Sequence, residues 1–145
     1  MRLFSFLFLF LLLLHCSGTP SSAPESYSFD RLNLAHYPEK IPPSIPRSFL
    51  PESAVFIDSS ELRSGFANAR ESYLLLESTN TKEEIEKTLE ARSAMGDWKL
   101  IQKDSEGSKT VYLFEGFLNK SMSVLVTDQG DKRYAKYFFK KQSSY

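Results

Sequence analysis

The chain has 145 residues, the length of one domain, which excludes large multidomain machinery. Its 18 basic and 18 acidic residues cancel, so no overall field draws it to nucleic acid, and we expect no nucleic-acid partner. With 41% hydrophobic residues the chain can bury a core and is too apolar to be disordered throughout.

The first 15 residues have the pattern of a secretory signal peptide. Arg2 supplies a positive charge, and residues 3–14 form an apolar stretch interrupted only by Ser5. A bilayer span needs about 20 apolar residues, whereas a run of 10 to 14 is typical of the central region of a signal peptide. A core helix fits less well, because large apolar side chains cover every face.

Cys16 directly follows this stretch and is the only cysteine, so a disulfide within the chain is impossible. The run Leu13-Leu14-His15-Cys16 resembles the lipobox of bacterial lipoproteins, in which the cysteine becomes the lipidated first residue of the mature chain. His15 stands where most lipoboxes have a small residue. The resemblance is therefore best to spirochaete-type lipoproteins, whose lipoboxes are relaxed. The resemblance implies lipid, such as palmitate, on Cys16. The alternative is cleavage after Gly18 and secretion.

The predicted location is therefore the cell envelope, with the protein held at a membrane by acyl chains without crossing it. Ser17 after the cysteine favours the outer membrane over the inner membrane by the sorting habits of enteric bacteria.

A proline-rich segment follows the cysteine, and all seven prolines lie in the first 51 residues. Residues 16–51 are predicted to be a lipidated tether rich in proline and serine, flexible or extended. Residues 41–46 (IPPSIP) favour a polyproline-like conformation. A ligand for a partner's groove is conceivable, but an extended arm along the domain's own edge is favoured.

Residues 52–145 are predicted to form the folded domain. Short apolar runs at 54–58 and 71–77 predict two strands, separated by a polar loop over 59–69. Thr81 and Glu84 match a capping box and predict a helix start. Ile85, Leu89 and Met95 make its apolar stripe, and the glycine that follows Met95 ends it.

Four alternating runs follow the helix, at residues 98–103, 110–115, 121–127 and 133–139. Short glycine-bearing links between such runs indicate an antiparallel meander. The predicted fold class is α+β, a mainly antiparallel sheet of five to six strands with one helix packed on one face, in the order β-β-α-β-β-β-β.

This order, with IPPSIP before the first strand and Gly96-Asp97-Trp98 after the helix, covers residues 41–139. It resembles the helix-grip type domains of small envelope lipoproteins, including the lipoprotein of the outer-membrane barrel-assembly machinery. The resemblance implies a similar fold and carries over no functional residue.

The sequence offers little catalytic chemistry. After cleavage before Cys16, the remaining histidine is His36, and residues 52–145 contain neither histidine nor cysteine. Histidine-activated nucleophiles and the usual zinc sites therefore lack their residues. The candidate paired carboxylates are Glu71 with Glu77 or Glu106 with Glu115, but they lie at strand ends or turns, where solvated charges are normal. We expect no enzyme, no catalytic residue, no metal site and no cofactor.

The last predicted strand interleaves basic with aromatic side chains. The basic residues, which form the predicted contact surface, are Lys132, Arg133, Lys136, Lys140 and Lys141. Such a mixture can bind single-stranded nucleic acid, but in an envelope protein anionic lipid or polysaccharide is the better partner. The alternative favoured here is that the lysines protect an edge strand from pairing with other chains, while alternate aromatics fill the core.

The sequence therefore predicts an envelope lipoprotein that acts as a non-catalytic binding or scaffolding module. Cys16 would carry the lipid, residues 17–51 would set the reach, and residues 52–145 would contact another envelope protein, anionic lipid or polysaccharide. The alternative function is a secreted or surface-exposed ligand binder or adhesin that uses the exposed sheet face.

Overall fold

The computed structural model describes residues 23–64 and 68–142. Its elements in chain order are β1 (Glu25–Ser28), β2 (Leu32–His36), a 3-10 turn (Arg47–Phe49), β3 (Ala54–Arg63), β4 (Arg70–Ser78), α1 (Lys82–Ser93), β5 (Trp98–Glu106), β6 (Lys109–Gly116), β7 (Lys120–Gln129) and β8 (Lys132–Lys141). The predicted signal peptide and Cys16 lie outside the described residues. Within the described ranges, no helix has both the length and the apolar character needed to cross a bilayer.

The eight strands form one antiparallel sheet in the order β1-β2-β3-β4-β8-β7-β6-β5. After β4, α1 carries the chain across one face to β5 at the far edge, and β5 to β8 return as a meander. β8 pairs with β4 on one side and with β7 on the other, so the last strand lies in the middle of the sheet.

The prediction of five to six strands is wrong, because the described sheet has eight. The two additional strands, β1 and β2, lie in the segment assigned to the tether, and β3 continues to Arg63 through the predicted polar loop. All four residues of β1 are exposed. A strand that buries nothing needs no alternation of apolar residues, so its sequence carries no period-two signal.

One face of the sheet is covered by α1 together with the proline-rich segment. Ile45 and Phe49 of that segment are only 2% and 1% exposed, so it packs on the sheet face rather than along an edge. The other buried hydrophobic residues of this core are Leu74, Leu76, Ile85, Leu89, Tyr112, Phe114, Met122, Val124, Val126, Ala135, Tyr137 and Phe139.

The capping box at the start of α1 is confirmed. The backbone N–H of Glu84 donates to Thr81 Oγ1 at 3.2 Å, and the backbone N–H of Thr81 donates to Glu84 Oε2 at 2.9 Å. Each of the two residues thus accepts, through its side chain, a hydrogen bond from the other's backbone amide, which would otherwise lack a partner at the start of the helix.

The apolar stripe of α1 is shorter than predicted. Ile85 and Leu89 are buried against the sheet, but α1 ends at Ser93 and Met95 is 68% exposed. Met95 therefore does not belong to the stripe. Gly96 has a φ of +93°, in the left-handed region that glycine adopts without steric cost, and turns the chain towards β5.

Candidate anion-binding cleft

The central position of β8 changes the interpretation of its basic residues. Because β8 is not an edge strand, the prediction that its lysines protect an edge is wrong. Side chains alternate along a strand, so Lys132, Lys136 and Lys140 lie on the face opposite α1. Arg133 and Lys141 lie on the α1 face. The predicted contact surface is thus divided between two faces.

Two lysines of the face opposite α1 are neutralised by neighbours on β4. Lys132 Nζ lies 2.7 Å from Glu77 Oε1, and Lys140 Nζ lies 3.0 Å from Glu71 Oε1. The hydrogen bond from Lys132 holds the pKa of Glu77 below its ordinary value. The paired carboxylates considered for catalysis, Glu71 and Glu77, are therefore each engaged by a lysine.

The remaining three basic residues of β8 differ from one another. Arg133 Nε lies 3.3 Å from Asp128 Oδ1. Among the described residues, Lys136 and Lys141 have no ion-pair partner. Lys136 lies on the face opposite α1, whereas Lys141 lines a cleft on the α1 face.

That cleft is lined by basic residues from four neighbouring strands. The pairing register sets Arg63 opposite Arg70, Arg70 opposite Lys141, and Lys141 opposite Lys120. We call these four residues the cationic row. Like charges directly opposite each other in a sheet are destabilising, so the row concentrates positive charge at some cost to the fold.

Among the described residues, one buried carboxylate lies beside the cationic row. Glu61 Oε2 is 3.0 Å from Arg63 Nη2, and Glu61 Oε1 is 3.1 Å from Arg70 Nε. The Glu61 side chain is 5% exposed, against 52% and 37% for the two arginines. Lys120 and Lys141 have no ion-pair partner within the described part of the chain. Four cations thus share one carboxylate, and the row keeps a net positive charge.

The cleft itself has a volume of about 540 Å³. One side is formed by Pro43, Ser44 and Pro46 of the proline-rich segment, and its aromatic surface comes from Trp98 and Phe139. The cleft therefore combines a charged side with an apolar side, as small-molecule sites commonly do.

Trp98 is held at the end of the cationic row by a glycine. Gly116 is paired with both Trp98 on β5 and Lys120 on β7, which aligns the indole with the charges. A Cβ on Gly116 would lie 3.0 Å from Trp98 Cε3, so only glycine lets the indole lie on the β6 backbone. The rings of Phe49 and Phe139 contact the indole edge-on, with centroids 5.8 and 6.3 Å away.

This arrangement is suited to binding an anion. Arginine and lysine donate charge-assisted hydrogen bonds to oxyanions, and none of the described residues lining the cleft is acidic, histidine or cysteine. In the described ranges, no three histidine, cysteine or acidic side chains are grouped as metal ligands. His36 lies far along the sheet from the cleft, with Nδ1 2.6 Å from Asp58 Oδ1.

The opposite face of the sheet carries a second groove, of about 550 Å³. It is mainly apolar, with Leu62, Leu113 and the ring pair Tyr73–Phe138, whose centroids are 5.1 Å apart. This is the exposed sheet face on which the alternative function would depend.

The chain matches no family model, and no curated protein has significant sequence similarity to it.

Of the cleft's basic residues, the sequence pattern pointed only to Lys141. Arg63, Arg70 and Lys120 were missed because they lie in separate segments and come together through strand register. Each of them is the first or last residue of its strand. Four strands that are neighbours in the sheet each have a basic residue at the same end, but this pattern can be recognised only when the strand order is known.

Proposed function

We propose that the protein is a non-catalytic binding module of the cell envelope, tethered by lipid on Cys16, that binds an anionic envelope component. The observation that carries this proposal is the cationic row beside Trp98, where four cations share one carboxylate, that of Glu61, among the residues that the structure describes. An anion in the cleft would relieve the repulsion between Lys120 and Lys141 and would gain charge-assisted hydrogen bonds.

Binding fits the cleft better than catalysis does. The carboxylate beside the row, Glu61, is buried and ion-paired with Arg63 and Arg70, an arrangement that favours its charged form over a role in proton transfer. The described lining residues supply cations, prolines and aromatic rings, which orient and hold a ligand.

The tether is tested by metabolic labelling with a palmitate analogue in cells that express the full chain or its Cys16→Ser variant. We expect label and membrane association in the wild-type protein and neither in the variant. A matched control is Ser17→Ala, which keeps the thiol and should be labelled. An unlabelled wild-type protein in the culture medium would contradict the tether and favour the secreted alternative.

Anion binding is tested separately, with the detergent-solubilised wild-type protein and immobilised heparin as a generic polyanion. We expect retention that is lost with rising salt, because the contacts are ionic. Lys120→Glu should elute at lower salt than the wild type, since it reverses one charge of the row. Flow-through of the wild type at low salt would contradict an anion-binding function.

A further inference from the structure

We infer that the cleft binds a phosphate ester, with the phosphoryl oxygens between Lys120 and Lys141 and the organic part of the ligand against Trp98. The inference rests on the proposed anion-binding function and specifies its ligand class. The same chemistry occurs in a phospholipid headgroup and in a soluble phosphate ester, and the experiment below distinguishes these sources.

The first argument is the match of charge. Lys120 and Lys141 are directly opposite residues of β7 and β8, and neither has an ion-pair partner among the residues the structure describes. A phosphate monoester carries a charge of about −1.5 to −2 at pH 7. The charge of two adjacent ammonium groups is therefore balanced better by a phosphate monoester than by a ligand with a single carboxylate.

The second argument is the number of free donors. Arg63 uses Nη2 to donate a hydrogen bond to Glu61 Oε2, whereas Arg70 Nε lies at ion-pair distance from Glu61 Oε1 without hydrogen-bond geometry. A guanidinium has five N–H donors, so both arginines keep donors for a second oxyanion. Three further oxygens, as on a phosphoryl group, can be met by such a set of lysine and arginine donors.

The third argument is the apolar wall at the other side. Trp98 lies in the same cross-strand row as the lysines, and Phe139 and Pro46 continue the apolar surface of the cleft. No acceptor in the described part of the chain takes the indole N–H of Trp98. The wall can pack against a carbon skeleton while the indole donates to a hydroxyl or ester oxygen.

The experiment uses the full protein purified from membranes in detergent, and Trp98 serves as the reporter because it is the only tryptophan. The titrants are glycerol 3-phosphate and detergent-dispersed phosphatidic acid, their uncharged matches glycerol and diacylglycerol, and glucuronate as an anion without phosphate. We expect saturable change of Trp98 emission with at least one phosphate titrant and none with its uncharged match. ³¹P NMR line broadening of the bound ester provides a second readout.

The decisive variant is Lys141→Glu, with Lys136→Glu as its matched control. Both lysines lie on β8 and both lack an ion-pair partner among the described residues, but only Lys141 faces the cleft. We expect Lys141→Glu to weaken phosphate binding at least tenfold and Lys136→Glu to change it less than twofold. Equal effects of the two variants would overturn the inference. Thermal unfolding of each variant checks that the fold is retained.

The outcomes separate the ligand class from the function. Binding of glycerol 3-phosphate supports a soluble source, and binding of phosphatidic acid alone supports a lipid headgroup. Binding of glucuronate, with no response to either phosphate, overturns the phosphate inference and leaves an anion-binding function standing. Absence of binding to heparin, glucuronate and both phosphates overturns the inference and the proposed function together.

Discussion

The hydroxyl of Tyr137 donates a hydrogen bond to the backbone carbonyl of Phe49, with 2.9 Å between the oxygens. Tyr137 is fully buried in the central strand β8, and Phe49 ends the 3-10 turn of the proline-rich segment. Burial raises the pKa of the Tyr137 hydroxyl, so it remains a donor. This bond fixes the proline-rich side of the cleft to the middle of the sheet.

Replacing Tyr137 by phenylalanine should lower the free energy of unfolding by about 1–3 kcal/mol, because the buried carbonyl of Phe49 loses its partner. Urea denaturation measures the change. The matched control is Tyr134→Phe, which removes a hydroxyl that donates to the half-buried Glu77 at 3.1 Å near the surface, and it should cost less. Equal losses would show that the bond to Phe49 has no special role.

Replacing Gly116 by alanine should displace the indole of Trp98, since the added Cβ would lie 3.0 Å from the ring. We expect a loss of about 1–3 kcal/mol from overpacking and a red shift of Trp98 emission as the indole moves into water. The control is Gly107→Ala, in a turn with no atom near the added Cβ. It strains a positive φ without touching Trp98, so an equal spectral shift there would refute the explanation.

Replacing Leu89 by alanine should lower the free energy of unfolding by about 2–5 kcal/mol, because this side chain of α1 is fully buried against the sheet and its removal leaves a cavity. Met95→Ala, at an exposed position beyond the helix, should change stability by less than about 0.5 kcal/mol. Both are measured by chemical denaturation. A similar cost at both sites would mean that the helix packs along a different stripe.

The capping box predicts a pH dependence. Hydrogen bonds from the Thr81 backbone and then from the Asn80 side chain lower the pKa of Glu84 from its usual 4.5. Its stabilising effect is therefore complete above pH 4.5 and is lost as the pH falls through the lowered value. Glu84→Gln should be less stable than the wild type at neutral pH, and the difference should shrink below pH 4.5.

Melting temperature against pH, followed by circular dichroism, tests this prediction. The control is Glu83→Gln, in the same first turn but outside the capping box. A constant offset between Glu84→Gln and the wild type down to pH 2 would contradict a role for the Glu84 charge.

Local chemistry explains which parts of the fold the sequence predicted. The start of α1 depends on Thr81 and Glu84, three positions apart, and was predicted correctly. The central strands each bury alternate residues, so their period-two pattern is visible in the sequence. The sequence did not predict β1, because this strand is wholly exposed and is held by backbone pairing to β2.

The cleft could not be predicted for a different reason. Arg63 and Lys141 are distant along the chain, and they become next-but-one neighbours only because β4 lies between their strands. No local pattern encodes that strand order. The sequence did not predict the role of Gly116 either, because that role is to leave room for the indole of Trp98, which lies on another strand.

If Cys16 carries a lipid as proposed, the pairing of β1 with β2 shortens the segment between that lipid and the sheet. Glu25 follows Cys16 by nine positions, which extend to at most about 30 Å, whereas a free linker to residue 51 would reach about 120 Å. A lipidated chain would thus keep the start of its sheet within about 30 Å of the bilayer surface. The cleft would then bind molecules of the membrane or molecules that come close to its surface.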